Sequence, residues 1–86
     1  MTFRSLALPR FWTLYDHLPV EVQALADKQF ALFSKDPFHP SLRFKQVGPL
    51  WSVRVSYSYR ALAVKNGDEL TWFWIGTHSD YDKLLA

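Results

Sequence analysis

Residues 51–75, WSVRVSYSYRALAVKNGDELTWFWI, decide the fold. Trp51, Val53 and Val55 alternate with Ser52, Arg54 and Ser56, the period of two that gives a strand one apolar and one polar face. Two further strand-like runs, residues 59–65 and 69–75, flank Asn66-Gly67, a pair that tolerates the left-handed backbone of a tight hairpin. A two-residue turn there pairs Lys65 with Asp68, which sets Ala63 opposite Leu70, Ala61 opposite Trp72 and Tyr59 opposite Trp74. That face is wholly apolar. The other face carries Arg60, Leu62, Val64, Glu69, Thr71, Phe73 and Ile75. A sheet apolar on both sides is either covered twice or offers one side to a partner.

Upstream the period changes. Residues 2–8 read as a short strand closed by Pro9, which suits the first turn of a helix reaching about His17 because its missing N–H has no partner there anyway. Pro19 repeats the signal. After it Val22, Leu25, Ala26, Phe30 and Phe33 recur at helical spacing, with Glu21, Lys28 and Lys35 opposite. Asp36-Pro37 ends that helix, since the residue before proline is pushed out of the helical region. Residues 42–47 then read as a strand closed by Gly48-Pro49. The expected fold is α+β: a strand, two helices, then an antiparallel meander of about four strands with the helices on one face.

A chain of 86 residues, 49% of them hydrophobic and 21% charged, has room for one core, so residues 1–86 are expected to form one domain. Fifteen aromatic rings (four Trp, four Tyr, seven Phe) bury much area per residue. With no cysteine, a disulfide framework, thiolate chemistry and Cys-ligated zinc are excluded. The net charge of +2 permits an anionic partner without requiring one. No stretch approaches the roughly 20 apolar residues of a membrane span, and the start is too short and too early broken by Pro9 for a signal peptide. A cytoplasmic protein with no membrane partner is expected.

His17, His39 and His78 are far apart, no carboxylate–histidine pair is read at a one-turn helical interval, and no metal site or cofactor is expected. Asp80 and Asp82 instead suit the N-terminal turn of a short closing helix. His39, between two prolines, orders a loop, and Trp51, Trp72 and Trp74 belong to the core. What remains is cationic. Arg43 and Lys45 share a face of their strand, and Arg54 lies on the polar face of the next. Arg54 also shares a face with Arg60 if residues 57–59 form a three-residue loop. Each arginine alone reads as a solvated residue with a carboxylate partner, Glu69 being a candidate. Gathered on one face they cost energy unless an anion visits, and a guanidinium fork suits phosphate oxygens. His78 past the last strand is either a surface residue or an acid–base group. Tyr81 either meets a phosphate or base, or packs under the chain end.

Leu-Pro before the long helix, Asp-Pro after it, the strand Tyr59-Arg60-Ala61-Leu62-Ala63 and the close Gly76-Thr77-His78 follow one another in an order that resembles the RelE/ParE superfamily of toxins from bacterial type II toxin–antitoxin systems. The resemblance covers nearly the whole chain. It implies a compact α+β domain whose helices back a curved antiparallel sheet, and an antitoxin partner encoded nearby. The RelE-like branch cleaves mRNA in the ribosomal A site without a metal. By position, Arg60 matches the recurrent catalytic arginine and Arg54 a lysine that shares the phosphate. His78 matches a terminal histidine or arginine acting as general acid or second clamp, and Tyr81 the C-terminal tyrosine. The resemblance makes Lys45 and Arg43 candidates for contact with the RNA backbone. Ser52 departs from the pattern, standing where some ribosome-cleaving members carry a second lysine, and no glutamate is placed as a general base. The ParE-like branch, which poisons DNA gyrase on the same fold, and an inactive antitoxin-binding homologue are the alternatives.

Overall fold

Proline sets both early helices in the computed structural model, which describes residues 3–86. Pro9 opens α1 (Pro9–Asp16), and Pro19 caps α2 (Val20–Lys35). Asp36 leaves the helical region ahead of Pro37 and ends α2. Before them runs β1 (Arg4–Ala7); Thr2, expected at its start, lies outside the described residues. A single 3₁₀ turn (Pro40–Leu42) is capped by the His39 ring, which accepts from the Ser41 N–H at 3.2 Å. Then come β2 (Lys45–Val47), β3 (Leu50–Ser56), β4 (Tyr59–Asn66), β5 (Glu69–Thr77) and α3 (His78–Leu85). The sheet order is β1-β5-β4-β3-β2, antiparallel except for β1, which lies parallel to β5. No helix among the described residues is long and apolar enough to cross a membrane.

The meander is present, with three corrections. The strand expected over residues 42–47 is only Lys45–Val47. Leu42 is fully buried in the 3₁₀ turn, and Arg43 takes a left-handed conformation (φ 46°) to turn the chain toward β2. In the β4–β5 hairpin the central residues are Gly67 and Asp68, so Asn66 pairs with Glu69 and Lys65 with Leu70. Only Gly67 needs a positive φ (61°), which spares Asn66 a left-handed backbone. A slip of two residues keeps every side chain on its face. The third correction does not: β5 carries an extra residue at Phe73, so Ala63 pairs with Trp72 but Leu62 pairs with Trp74. Trp72 therefore stays on the α2 side, Trp74 crosses to the other, and Ile75 takes its place in the first core.

The sheet is thus covered twice. On one face Val22 and Phe33 of α2 pack with Val53, Val55, Ala61, Ala63, Leu70 and Trp72. The rings of Phe33, Phe44 and Trp72 meet edge to face there, at centroid distances of 4.9 and 5.7 Å. On the opposite face Leu62, Trp74 and Tyr81 form a second cluster beneath α3. That apolar second face, left open by strand parity, is what α3 covers. Leu25 and Phe30 do not join the core; Phe30 is 52% exposed. The reason is that α1 and α2 pack on different strands. α1 packs on β5 and α2 on β3, leaving between them a groove of about 310 Å³ bordered by Leu6, Phe11, Trp12, Phe30, Val55 and Trp72.

Candidate functional site

β3 and β4 are joined by the two-residue turn Tyr57-Ser58, with Ser56 paired to Tyr59. Neither turn residue has a positive φ, although tight hairpin turns that match the strand twist need one. The mismatch is taken up at Val55, where the register shifts, and this brings Arg54 directly opposite Arg60. The bulge does what a three-residue loop was expected to do. Directly opposite residues share a face, so both guanidinium stems rise on the side of Leu62 and Trp74. Lys45 pairs with Ser52, two residues from Arg54, and belongs to the same face. Arg43 is not on a strand and does not alternate with Lys45, but its charge still reaches Arg60.

Two like charges across a strand pair are destabilising unless something answers them. Among the described residues no carboxylate lies within 4.0 Å of either arginine: Glu69, the expected partner, pairs with Arg4 at 3.7 Å. Arg60 is instead held by uncharged acceptors. Its Nη1 donates to the carbonyls of Ser56 (2.5 Å), Tyr59 (2.9 Å) and Tyr57 (3.3 Å), which gathers the turn around the side chain. Burial first, then the charges of Arg54 and Arg43, lower the Arg60 pKa, while Tyr81 and Asp82 act the other way. An arginine nonetheless keeps its proton at neutral pH.

α3 carries the histidine to this turn. Thr77 caps the helix, its Oγ1 accepting from the Asp80 N–H at 3.1 Å. The His78 backbone N–H donates to the Ser58 carbonyl at 2.7 Å, pinning the start of α3 on the β3–β4 turn. A pocket of about 400 Å³ results, lined by Tyr57, Ser58, Tyr59, Arg60, Thr77, His78 and Ser79. The His78 Nδ1 lies 3.1 Å from an Asp82 carboxylate oxygen. That contact corrects the expectation that no histidine and carboxylate stand one helical turn apart. The four-residue spacing is in the sequence, but it becomes visible only once His78 is placed on α3 rather than in a connection. Asp82 holds the Nδ1 side and leaves Nε2 as the open nitrogen.

Tyr81 is 8% exposed and its ring packs on Leu62 and Trp74. Of its two readings, packing under the chain end is the one observed, although its phenol still acts on the Arg60 charge and its ring lies 5.6 Å from that of His78. Arg54, Arg60 and His78 are therefore brought together, Lys45 shares their face, and Arg43 contributes only to the field. The turn carbonyls that hold Arg60 are backbone groups, which residue types do not announce.

A family model described as a ParE-like toxin domain matches residues 20–83. No curated protein matches the chain. Among solved structures, the RelB–RelE antitoxin–toxin complex from Methanococcus jannaschii superimposes with a TM-score of 0.73 at 13% identity, covering 94% of this chain and 99% of that one. A mutant of the toxin RelE from E. coli in the free state gives 0.68 at 12% identity, covering 95% and 90%. A YoeB/ParE toxin from Agrobacterium tumefaciens gives 0.66 at 13% identity, covering 88% and 99%. Identities this low carry the fold, and the family model carries the membership: the chain belongs to the ParE-like toxin family and shares its fold with the RelE and YoeB/ParE toxins above.

Proposed function

We propose that the chain is a toxin that cleaves mRNA on the ribosome and so inhibits translation. The observation that carries this is the facing pair Arg54 and Arg60, without a carboxylate within 4.0 Å among the described residues, beside a histidine whose Nδ1 is already engaged. In such a cleavage the 2′-hydroxyl oxygen attacks the adjacent phosphorus while its proton passes to solvent water, the bond to the 5′-oxygen breaks, and a 2′,3′-cyclic phosphate remains. Charge develops on the non-bridging oxygens, where two guanidinium groups stabilise it. His78 supplies a proton to the departing 5′-oxygen through Nε2. Arg60 is preorganised by the turn carbonyls, and Arg54 completes the clamp.

The partner reading rests on the other side of the sheet. Leu6, Trp12 and Phe30 are exposed around the groove between α1 and α2. An antitoxin segment that buries them would cover apolar surface a free protein leaves to water. The neighbours from Methanococcus jannaschii and Mycobacterium tuberculosis are themselves antitoxin–toxin complexes.

Gyrase inhibition without nuclease chemistry is the alternative that one observation favours: Ser52, at the position of a second lysine in some ribosome-cleaving members, is 2% exposed against β4, where an ammonium group has no water. Primer extension on translating mRNA, run beside a DNA supercoiling assay, separates the two. Cuts in the mRNA are expected from the wild type. Arg54→Ala is expected to lose about 100-fold or more in cleavage rate while its melting temperature holds or rises, because one of two facing like charges is gone. Arg60→Ala is expected to lose as much, with a loosened turn. Intact mRNA together with stalled supercoiling overturns the nuclease reading.

A further inference from the structure

Tyr57 is 82% exposed, more than any other large apolar side chain among the described residues. Nothing in the fold asks for it. It belongs to neither hydrophobic cluster. As the first residue of a two-residue turn it occupies a position where small or polar residues are the usual choice. What distinguishes it is its place. The Arg54 guanidinium carbon stands 6.0 Å from the ring centroid, and the ring forms the rim of the pocket that also holds Arg60 and His78. An exposed ring beside two cations combines a flat apolar surface with a phosphate site, the two elements with which proteins hold single-stranded nucleic acid.

We infer that Tyr57 is a base-stacking residue: the nucleotide whose phosphate lies between Arg54 and Arg60 lays its base on the Tyr57 ring. Arg54 serves both, meeting the phosphate through its N–H groups and the ring through a cation–π contact. This subsite deepens the RNA-cleavage reading and rests on it. Every base has a flat face, so stacking gives a graded preference for the larger purine rings rather than a strict code. The three carbonyls that hold Arg60 also fix the backbone of the turn bearing Tyr57, so the ring is carried on the same turn as the clamp.

The test is cleavage of translating mRNA by wild type, Tyr57→Ala and Tyr57→Phe, with KM, kcat and the distribution of cut sites read for each. Loss of the ring is expected to raise KM roughly 10- to 100-fold with kcat changed far less, and to even out cuts beside purines and pyrimidines. Tyr57→Phe keeps the ring and is expected to restore both KM and cut-site preference. Circular dichroism and melting temperature should be the same for all three, since the side chain supports no core contact. A Tyr57→Ala chain with wild-type KM and wild-type cut sites overturns the stacking subsite and leaves the nuclease reading in place. Equal losses in Tyr57→Ala and Tyr57→Phe also overturn it, by assigning the effect to the hydroxyl. A wild type that leaves mRNA intact removes the nuclease reading and the subsite together.

Discussion

Gly76 shows how a single hydrogen atom can hold a site open. It pairs with Arg60 across the β4–β5 ladder, and a Cβ built on it would lie 2.6 Å from Cζ2 of the Trp74 indole. The conflict is with the face of a buried ring, which has little room to retreat. Gly76→Ala is therefore expected to destabilise the chain by about 1–3 kcal/mol through overpacking, read as a lower denaturant midpoint with an unchanged slope. The same geometry accounts for the glycine in the closing Gly-Thr-His, whose spacing is plain in the sequence but whose cause is not. That cause depends on Trp74 having crossed the sheet. Arg54, Arg60 and His78 were legible as candidates because charge, alternation and order all point at them, and the fold sets them near one another. The Asp82 contact with His78 was missed, although its four-residue spacing stands in the sequence, and the engagement of Arg60 by three carbonyls was not legible at all, since every residue carries a carbonyl.

At the scale of elements, α3 is the part on which the site turns. Its first N–H groups are satisfied by Thr77 and by Ser58, one from its own cap and one from another hairpin. Thr77→Ala removes the side-chain acceptor and is expected to cost about 1 kcal/mol, with the loss concentrated in α3. Amide hydrogen exchange should show faster opening at Asp80 and the residues after it, while β3 and β4 keep their protection. An unchanged exchange rate in α3 would mean that packing of Tyr81, rather than the cap, holds the helix. Alternation in β3 and β4 was read correctly because β4 keeps parity along its length and β3 keeps it as far as the register shift at Val55. It failed in β5 because a single extra residue at Phe73 exchanges the faces of everything after it. A bulge has no residue signature strong enough to stand out in a run as apolar as Thr71 to Ile75. Residues 42–47 failed differently. The alternation stands in the sequence but not in the backbone, because Leu42 is fully buried in the 3₁₀ turn and Arg43 turns the chain before β2 begins.

For the whole molecule the tie between α1 and α2 is polar. The Tyr15 hydroxyl donates to an Asp27 carboxylate oxygen at 2.7 Å, joining α1 to α2 across the mouth of the apolar groove. That bond, then partial burial and the negative charges of Asp27 and Asp16, push the Tyr15 pKa up to about 12. Folding thus favours the protonated phenol. Its stabilising contribution is fully present below the unfolded value near 10 and is lost as pH rises toward 12. Global stability is expected to fall across that window, and Tyr15→Phe should fall less steeply. Equal slopes in the two chains, measured by denaturant titration at each pH, would show that the bond does not tie the helices.

The facing arginines have a consequence for the lifetime of the fold. Arg54 and Arg60 are set side by side only while β3 and β4 are paired. An anion that needs both therefore binds the native chain and has no such site on the unfolded one. At a hundred times its dissociation constant such an anion adds about 2.7 kcal/mol to native stability, a large fraction of what a small domain has in total. Occupancy by such an anion is then itself a form of protection: the same facing charges that it would answer make the empty molecule the one more readily unfolded and degraded.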